Sequence, residues 1–172
     1  GVLVLAGPNS RKVLQKLTDA DLSNEAFPWL SGKEISVGTC TAHALRVNFV
    51  GELGWEFHHP IEQQVALFDQ LMEAGKDFGI RPYGIKAMSA LAIEKSYRLV
   101  PRELSIEYSA YESGLDRFVH PNKGQFIGRD AVVAGKQKGL NWNFVTMEVD
   151  GVGDGDSDAR GSEPLYHKGK LI

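Results

Sequence analysis

Cysteine is nearly absent from this sequence, and so are the long apolar runs that mark membrane proteins. The single cysteine among 172 residues, Cys40, cannot form an internal disulfide and has no cysteine neighbour at metal-ligand spacing. No apolar run approaches the roughly 20 residues that a transmembrane helix needs, and residues 1–20 lack the charged-then-apolar order of a signal peptide. The sequence is therefore typical of a soluble cytoplasmic protein with no membrane among its partners.

A surplus of basic residues is also missing. Lysine and arginine number 19 against 22 acidic residues, which gives a formal net charge of -3 at pH 7. Proteins that neutralise a phosphate backbone need clustered positive charge, so nucleic acid is not an expected partner. Hydrophobic residues make up 42% of the chain, which is enough to build an ordinary globular core.

Hydrophobic periodicity predicts an α+β fold, in which helices flank an antiparallel sheet. Residues 2–6 form a short apolar run that predicts a strand buried on both faces, and Asn9 or Ser10 can begin the helix that follows. Further strands are predicted at 33–39, 43–50, 55–58 and 142–149, and further helices at 60–78, 84–97 and 129–137. The apolar positions of the helix at 60–78 are Ile61, Val65, Phe68, Leu71 and Met72, and the helix at 84–97 is predicted to bury Met88, Leu91 and Ile93.

Metal binding receives little support from the sequence. The acidic segment 150–158 resembles a calcium loop, but it lacks the ligand spacing and the terminal glutamate of an EF-hand. His58 and His59 are consecutive on a predicted strand, so their side chains point to opposite faces and cannot both bind one ion without distortion. We therefore expect no metal ligands in this chain.

The segment FVGELGWE, residues 49–56, is the strongest candidate for a binding site. Its two glycines lower the conformational energy of a tight turn, because glycine accepts positive φ. The strand that follows places Glu56 between Trp55 and Phe57, so one face is aromatic and the other carries the carboxylate. Taken alone, the pattern fits both an exposed strand glutamate and a carboxylate directed at a ligand.

FVGELGWE resembles the Tyr-Thr-Gly-Glu-x-Gly-x-Glu segment of the folate-binding aminomethyltransferase family, which comprises the T-protein of the glycine cleavage system and its relatives. Four further segments resemble that family in the same order, namely LVLAGPNSRKVLQKL, AMSALAIEKSYRL, YESGLDRFV and FIGRDAV. Within the family, GELGWE, ALFDQLMEAG, AMSALAIEK and FIGRDAV are most similar to the C-terminal folate-binding half of dimethylglycine and sarcosine dehydrogenases. The resemblance spans nearly the whole chain.

The resemblance implies a tetrahydrofolate site. Glu56 matches the family glutamate that hydrogen-bonds the pterin ring, and Phe49 takes the place of a tyrosine beside the pterin. Met88 stands where the T-protein has a folate-contacting arginine, as it commonly does in the dehydrogenase relatives. Ala92 in place of an arginine and Pro101 in place of a glycine depart from the family pattern, and they favour altered binding.

The resemblance also implies a fragment of a larger fold with three subdomains. Residues 1–139 correspond to the folate-binding region without its N-terminal part, and residues 140–172 correspond to the first strands of a truncated C-terminal β-barrel. The family's catalytic aspartate lies upstream of the equivalent of Gly1, so this chain is expected to hold no catalytic residue and to be inactive alone. Missing barrel strands would leave an unpaired edge, which favours self-association as a homo-oligomer.

The implied function is transfer of a methylene unit from an amine to tetrahydrofolate, as in an aminomethyltransferase or the folate domain of a flavin amine dehydrogenase. Folate and a methylated amine are the small-molecule partners, and FAD is expected only if an upstream flavin domain exists. In a eukaryote the expected compartment is the mitochondrial matrix. Two alternatives remain open, a non-catalytic folate-fold binding protein and a tetrahydrofolate-dependent demethylase of the same fold.

Overall fold

The computed structural model describes residues 1–149, 161 and 163–171, and it has the mixed architecture that the sequence predicts. The strands are Val2–Ala6 (β1), Gly32–Val37 (β2), Cys40–Leu45 (β3), Gly54–His58 (β4), Tyr166–His167 (β5) and Lys170–Leu171 (β6). The α-helices are Ser10–Gln15 (α1), Gln64–Gly75 (α2), Ile85–Glu94 (α3) and Arg129–Lys138 (α4). Short 3-10 helices lie at Ile61–Gln63, Lys76–Phe78, Asp116–Phe118 and Pro121–Lys123.

Strands β1 to β4 form one antiparallel sheet in the order β1-β4-β3-β2. Strand β4 lies inside the sheet, where Glu56 is opposite Val4 on one side and Leu45 on the other. Strand β1 is at the edge, and Val2 is 49% exposed. The prediction that this strand is buried on both faces is therefore wrong, because a short apolar run has the same sequence pattern in an edge strand that is covered only in part.

The core fills one side of this sheet, beneath helices α1 and α2. Trp55 and Phe57 point from β4 into the core and are fully buried, as are Leu14 of α1 and Leu67 of α2. The ring of Phe27 meets that of Trp55 edge to face, with the centroids 6.1 Å apart. Because side chains alternate along a strand, burial of the two aromatic residues of β4 forces its polar residues onto the opposite face.

Helix α2 carries two apolar stripes, and only one of them faces the sheet. Leu67, Leu71 and Gly75 recur every four residues and are buried. Val65, which belongs to the other stripe, is 70% exposed, and Ile61, which lies in the 3-10 helix before α2, is 65% exposed. Periodicity alone locates the helix correctly but does not determine which stripe enters the core.

Helix α3 ends at Glu94, three residues before the predicted end at Tyr97. Ser96 has a φ of 56°, which a right-handed helix cannot accommodate, so the chain turns there. The predicted burial of Ile93 is wrong, since this side chain is 57% exposed while the adjacent Ala92 is fully buried. Met88 and Leu91, which the sequence also predicts to be buried, are half-buried, so the buried face of α3 includes them and Ala92 but not Ile93.

The segment after residue 139 is largely irregular where the structure describes it. Helix α4 confirms the prediction at 129–137, but residues 142–149 form no strand, so that prediction is wrong. Instead of a strand ladder, the Phe144 amide donates to the Glu112 carbonyl oxygen (3.1 Å), and the Arg98 guanidinium lies 4.2 Å from the Phe144 ring centroid. Among the described residues beyond 139, only β5 and β6 pair as strands, so the barrel and the division at 139/140 remain predictions.

Candidate functional site

The turn that precedes β4 is held together by one asparagine. The side-chain oxygen of Asn48 accepts hydrogen bonds from the amides of Val50 (3.0 Å) and Glu52 (3.3 Å), and its side-chain nitrogen donates to the Glu52 carbonyl oxygen. Val50 is 1% exposed, so its buried side chain attaches the turn to the protein interior. Such a closed turn fixes where the following strand begins, and it therefore fixes the direction of Glu56.

The two glycines of the motif have different physical roles. Gly51 has a φ of 70°, in the left-handed region that favours glycine. Gly54 is required for close approach, because a Cβ atom there would lie 2.5 Å from the carbonyl oxygen of Leu5 on the neighbouring strand. The first glycine therefore allows the turn, and the second allows β1 and β4 to pair next to it.

Glu56 lies on the face of the sheet opposite the core. Its side chain is 14% exposed, and its Oε2 atom lies 3.9 Å from Nε2 of His58, two residues along the same strand. Among the described residues, Glu56 accepts no hydrogen bond. A largely covered carboxylate without a hydrogen-bond donor retains its acceptor capacity for a ligand.

His58 and His59 have opposite environments, as strand alternation predicts. His58 has a side chain that is 45% exposed, whereas His59 is 7% exposed and its Nδ1 atom donates to the Pro60 carbonyl oxygen at 2.8 Å. Within the part of the chain that the structure describes, no group of three histidine, cysteine or acidic side chains is arranged to hold a metal ion. The acidic segment 150–158 lies outside the described residues.

The other two predicted site residues lie in separate surroundings. Phe49 belongs to the turn before β4 and is 50% exposed, so one face of its ring is available for contact. Met88 belongs to α3 and lines a cavity of about 580 Å³, whose wall is formed by β1, the first turn of α1, the C-terminal half of α2 and residues 78–85. Neither Glu56 nor Phe49 lines this cavity.

Two features next to the site were not predicted from the sequence. Lys95 and Tyr97 follow α3 and pack on the turn at Gly51, and Lys95 Nζ lies 3.4 Å from Glu52 Oε1. Tyr83 lines the cavity near Met88, and desolvation raises the pKa of its phenol. Lys95 and Tyr97 fall within AMSALAIEKSYRL, so the motif contained them without indicating their contact with the turn.

Residues 1–123 match the family described as the GCVT N-terminal domain. The chain belongs to this family. The matched region contains the sheet, helices α1 to α3 and all three predicted site residues, so it includes the whole of the site described above. The family membership confirms the resemblance on which the assignment of Glu56, Phe49 and Met88 depends, while the roles of these three residues remain predictions.

Relatives of this GCVT-family chain are named as enzymes. The chain is 41% identical over 173 residues to mitochondrial dimethylglycine dehydrogenase of Homo sapiens, which covers 100% of this chain and 20% of the relative. Identity to an aminomethyltransferase of Caldanaerobacter subterraneus is 37% over 151 residues, with 88% of this chain and 40% of the relative covered. Identity to human mitochondrial sarcosine dehydrogenase is 40% over 152 residues, with 86% and 16% covered.

The chain thus spans about a fifth of the length of dimethylglycine dehydrogenase and two fifths of the length of the aminomethyltransferase. The relatives therefore contain much polypeptide that has no counterpart in this chain. Among the described residues, no helix has both the length and the apolar character needed to cross a membrane.

Proposed function

We propose that this chain binds tetrahydrofolate and forms the one-carbon transfer region of an aminomethyltransferase or of a dimethylglycine or sarcosine dehydrogenase-like protein. The observation that carries the proposal is Glu56, a carboxylate at the family's pterin-binding position that is 14% exposed and accepts no hydrogen bond from the described residues. Membership of the GCVT family and the names of the relatives support the same assignment.

The chemistry of Glu56 suits a pterin. A carboxylate accepts two parallel hydrogen bonds from the 2-amino group and the adjacent ring N–H, and this bidentate contact fixes both the position and the orientation of the ring. Strand β4 is hydrogen-bonded on both sides and is anchored by two buried aromatic residues, so the backbone of Glu56 is held rigidly before the ligand arrives. A rigid acceptor reduces the ordering cost of binding.

Phe49 supplies an apolar surface for the flat ring. A half-exposed phenylalanine stacks on a pterin face as a tyrosine does, but it has no hydroxyl group for an additional hydrogen bond. Met88 supplies apolar contact where the T-protein has an arginine, so the negatively charged tail of the folate has one positively charged partner fewer than in the T-protein. We expect the pterin to contribute a larger share of the affinity here than in the T-protein.

In the proposed reaction, this chain binds and orients the folate while the family's aspartate, supplied by another part of the polypeptide, acts at the reacting nitrogen. The folate nitrogens then form bonds to the amine-bound methylene carbon, the bond between that carbon and the amine breaks, and the amine leaves as methylenetetrahydrofolate forms. In a dehydrogenase-like protein, a flavin domain elsewhere in the polypeptide would oxidise the methylated amine, and we assign no residue of this chain to the flavin. A eukaryotic protein of this kind would lie in the mitochondrial matrix, and the names of the dehydrogenase relatives describe those proteins as mitochondrial.

A second candidate is a non-catalytic folate-fold protein, and Ala92 is the observation that favours it. This side chain is 0% exposed, so the site has no room for the family's arginine without rearrangement of α3. Turnover separates the two functions, because a non-catalytic protein would bind folate without forming methylenetetrahydrofolate from a methylated amine.

Calorimetric titration of the full-length protein with 5-formyltetrahydrofolate tests the proposal. Glu56→Gln is expected to weaken micromolar binding at least tenfold, or about 1.4 kcal/mol, because the amide retains one acceptor oxygen and loses the charge. Glu34→Gln is the matched control, since Glu34 is an exposed glutamate of the same sheet, and it should leave the affinity unchanged. No binding by the wild-type protein would refute the folate assignment.

A further inference from the structure

Among the described residues, one ionisable side chain lies within ion-pair distance of Glu56, and it is a histidine. The Nε2 atom of His58 lies 3.9 Å from Oε2 of Glu56, and the two side chains are on the same face of β4. The histidine side chain is 45% exposed, whereas the glutamate side chain is 14% exposed. The pair therefore joins an exposed imidazole to the carboxylate assigned to the pterin.

We infer that His58 is a positioning residue for Glu56, and that protonation of His58 strengthens folate binding. This inference rests on the proposed function. A protonated imidazole at Oε2 holds the carboxylate in one orientation before binding, which reduces the ordering cost of the complex. A carboxylate that a ligand covers also loses solvation, and a neighbouring cation offsets part of that loss. The acceptor capacity of a carboxylate is sufficient for both contacts, since its two oxygens offer about four lone-pair sites.

Two ionisable residues share the row of the sheet that contains His58. Across the sheet, His58 is opposite Val2 on β1, which is uncharged, and opposite His43 on β3. Beyond His43, Glu34 occupies the same row on β2. Protonation of His43 would oppose that of His58, and the carboxylate of Glu34, the residue directly opposite His43, would act in the other direction. The control for His58 is therefore His43, which occupies the same row of the sheet but forms no ion pair with Glu56 among the described residues.

The test is the pH dependence of 5-formyltetrahydrofolate binding to the full-length protein between about pH 6 and pH 8, the range in which histidine side chains ordinarily titrate. We expect the wild-type affinity to rise about two- to fivefold as the pH falls through this range, which is the contribution that partly exposed ion pairs make. His58→Gln should remove the rise and bind with the weaker affinity throughout. His58→Lys keeps a cation at all these pH values, and it should bind with the stronger affinity throughout.

His43→Gln should retain the rise, because this substitution leaves the pair between His58 and Glu56 intact. Equal pH profiles for the wild-type protein and His58→Gln would overturn the inference while leaving the folate assignment in place, provided that Glu56→Gln still weakens binding. Loss of the rise in His43→Gln but not in His58→Gln would also overturn it. Absence of binding by the wild-type protein at every pH would instead refute the proposed function itself.

Discussion

Replacement of Gly51 by alanine tests why the turn before Glu56 contains a glycine at that position. The residue has a φ of 70°, and an added Cβ would lie 2.8 Å from Cβ and Cγ of Lys95 and 3.1 Å from the ring of Tyr97. Gly79, at the end of the helical segment that contains α2, has a φ of 69° and nothing within 4 Å of an added Cβ. The two positions therefore share the backbone cost and differ in the steric cost.

The left-handed conformation costs a residue with a Cβ about 1–2 kcal/mol, and that is the whole expected loss for Gly79→Ala. Overpacking adds about 1–3 kcal/mol for Gly51→Ala, because the nearest atom is a Cβ close to the backbone rather than the end of a flexible side chain. Urea denaturation followed by circular dichroism should show a loss of about 2–5 kcal/mol for Gly51→Ala. Equal losses in the two variants would refute the packing of residues 95–97 on the turn.

Two further predictions concern the core and the response to acid. Phe57→Ala should lower the free energy of unfolding by about 3–5 kcal/mol, because Phe57 is fully buried. Phe49→Ala should lower it by less than about 1 kcal/mol, because Phe49 is half-exposed. Similar losses for the two variants in urea denaturation would contradict the assignment of Phe57 to the core and of Phe49 to the surface. Hydrogen bonds from the amide and hydroxyl of Ser109 hold the pKa of Glu112 below its ordinary value of 4.5. The ionised carboxylate therefore stabilises the folded protein above the unfolded-state pKa, and this stabilisation is lost as the pH falls through the folded-state pKa. Thermal unfolding should therefore find Glu112→Gln less stable than wild type at pH 7, with a difference that shrinks in acid, and a difference that is constant from pH 7 to pH 3 would contradict this reasoning.

The sequence predicts the order of strands and helices in the first hundred residues because their patterns are local, although the strand predicted at 43–50 lies at Cys40–Leu45. The strand of Trp55 and Phe57 alternates clearly, and the helical segment 61–78, which contains α2, has Pro60 before it and Gly79 after it. What the sequence does not predict is the partner of each apolar face. Helix α2 has two apolar stripes, and the choice between Leu67 and Val65 depends on where the sheet lies, which is a tertiary contact.

The errors after residue 139 have a similar physical cause. Residues 142–149 have apolar residues at strand-like spacing, but a strand needs a neighbour to accept its backbone hydrogen bonds, and the described chain offers Phe144 only the Glu112 carbonyl. The sequence pattern indicates only that residues 142–149 have a propensity to form a strand. They form no strand here because the described residues include no partner strand with which they could pair. Trp142 and Val145, at 61% and 64% exposed, remain uncovered for the same reason.

The candidate site was only partly accessible to sequence reasoning. Glu56 and its opposition to the aromatic face follow from strand alternation, and the family resemblance adds the pterin. The 3.9 Å approach of His58 follows from the same alternation, but the sequence reading considered this histidine only as a metal ligand. The contact of Lys95 and Tyr97 with Gly51 joins residues more than forty positions apart, and no local pattern predicts it.

A crystal structure of the full-length protein with 5-formyltetrahydrofolate tests the central claim most directly. The account predicts that the 2-amino group and the adjacent ring N–H of the pterin lie within about 3.2 Å of the two carboxylate oxygens of Glu56, with the ring against Phe49. A pterin bound elsewhere, such as in the cavity lined by Met88, with Glu56 contacting only His58, would contradict it.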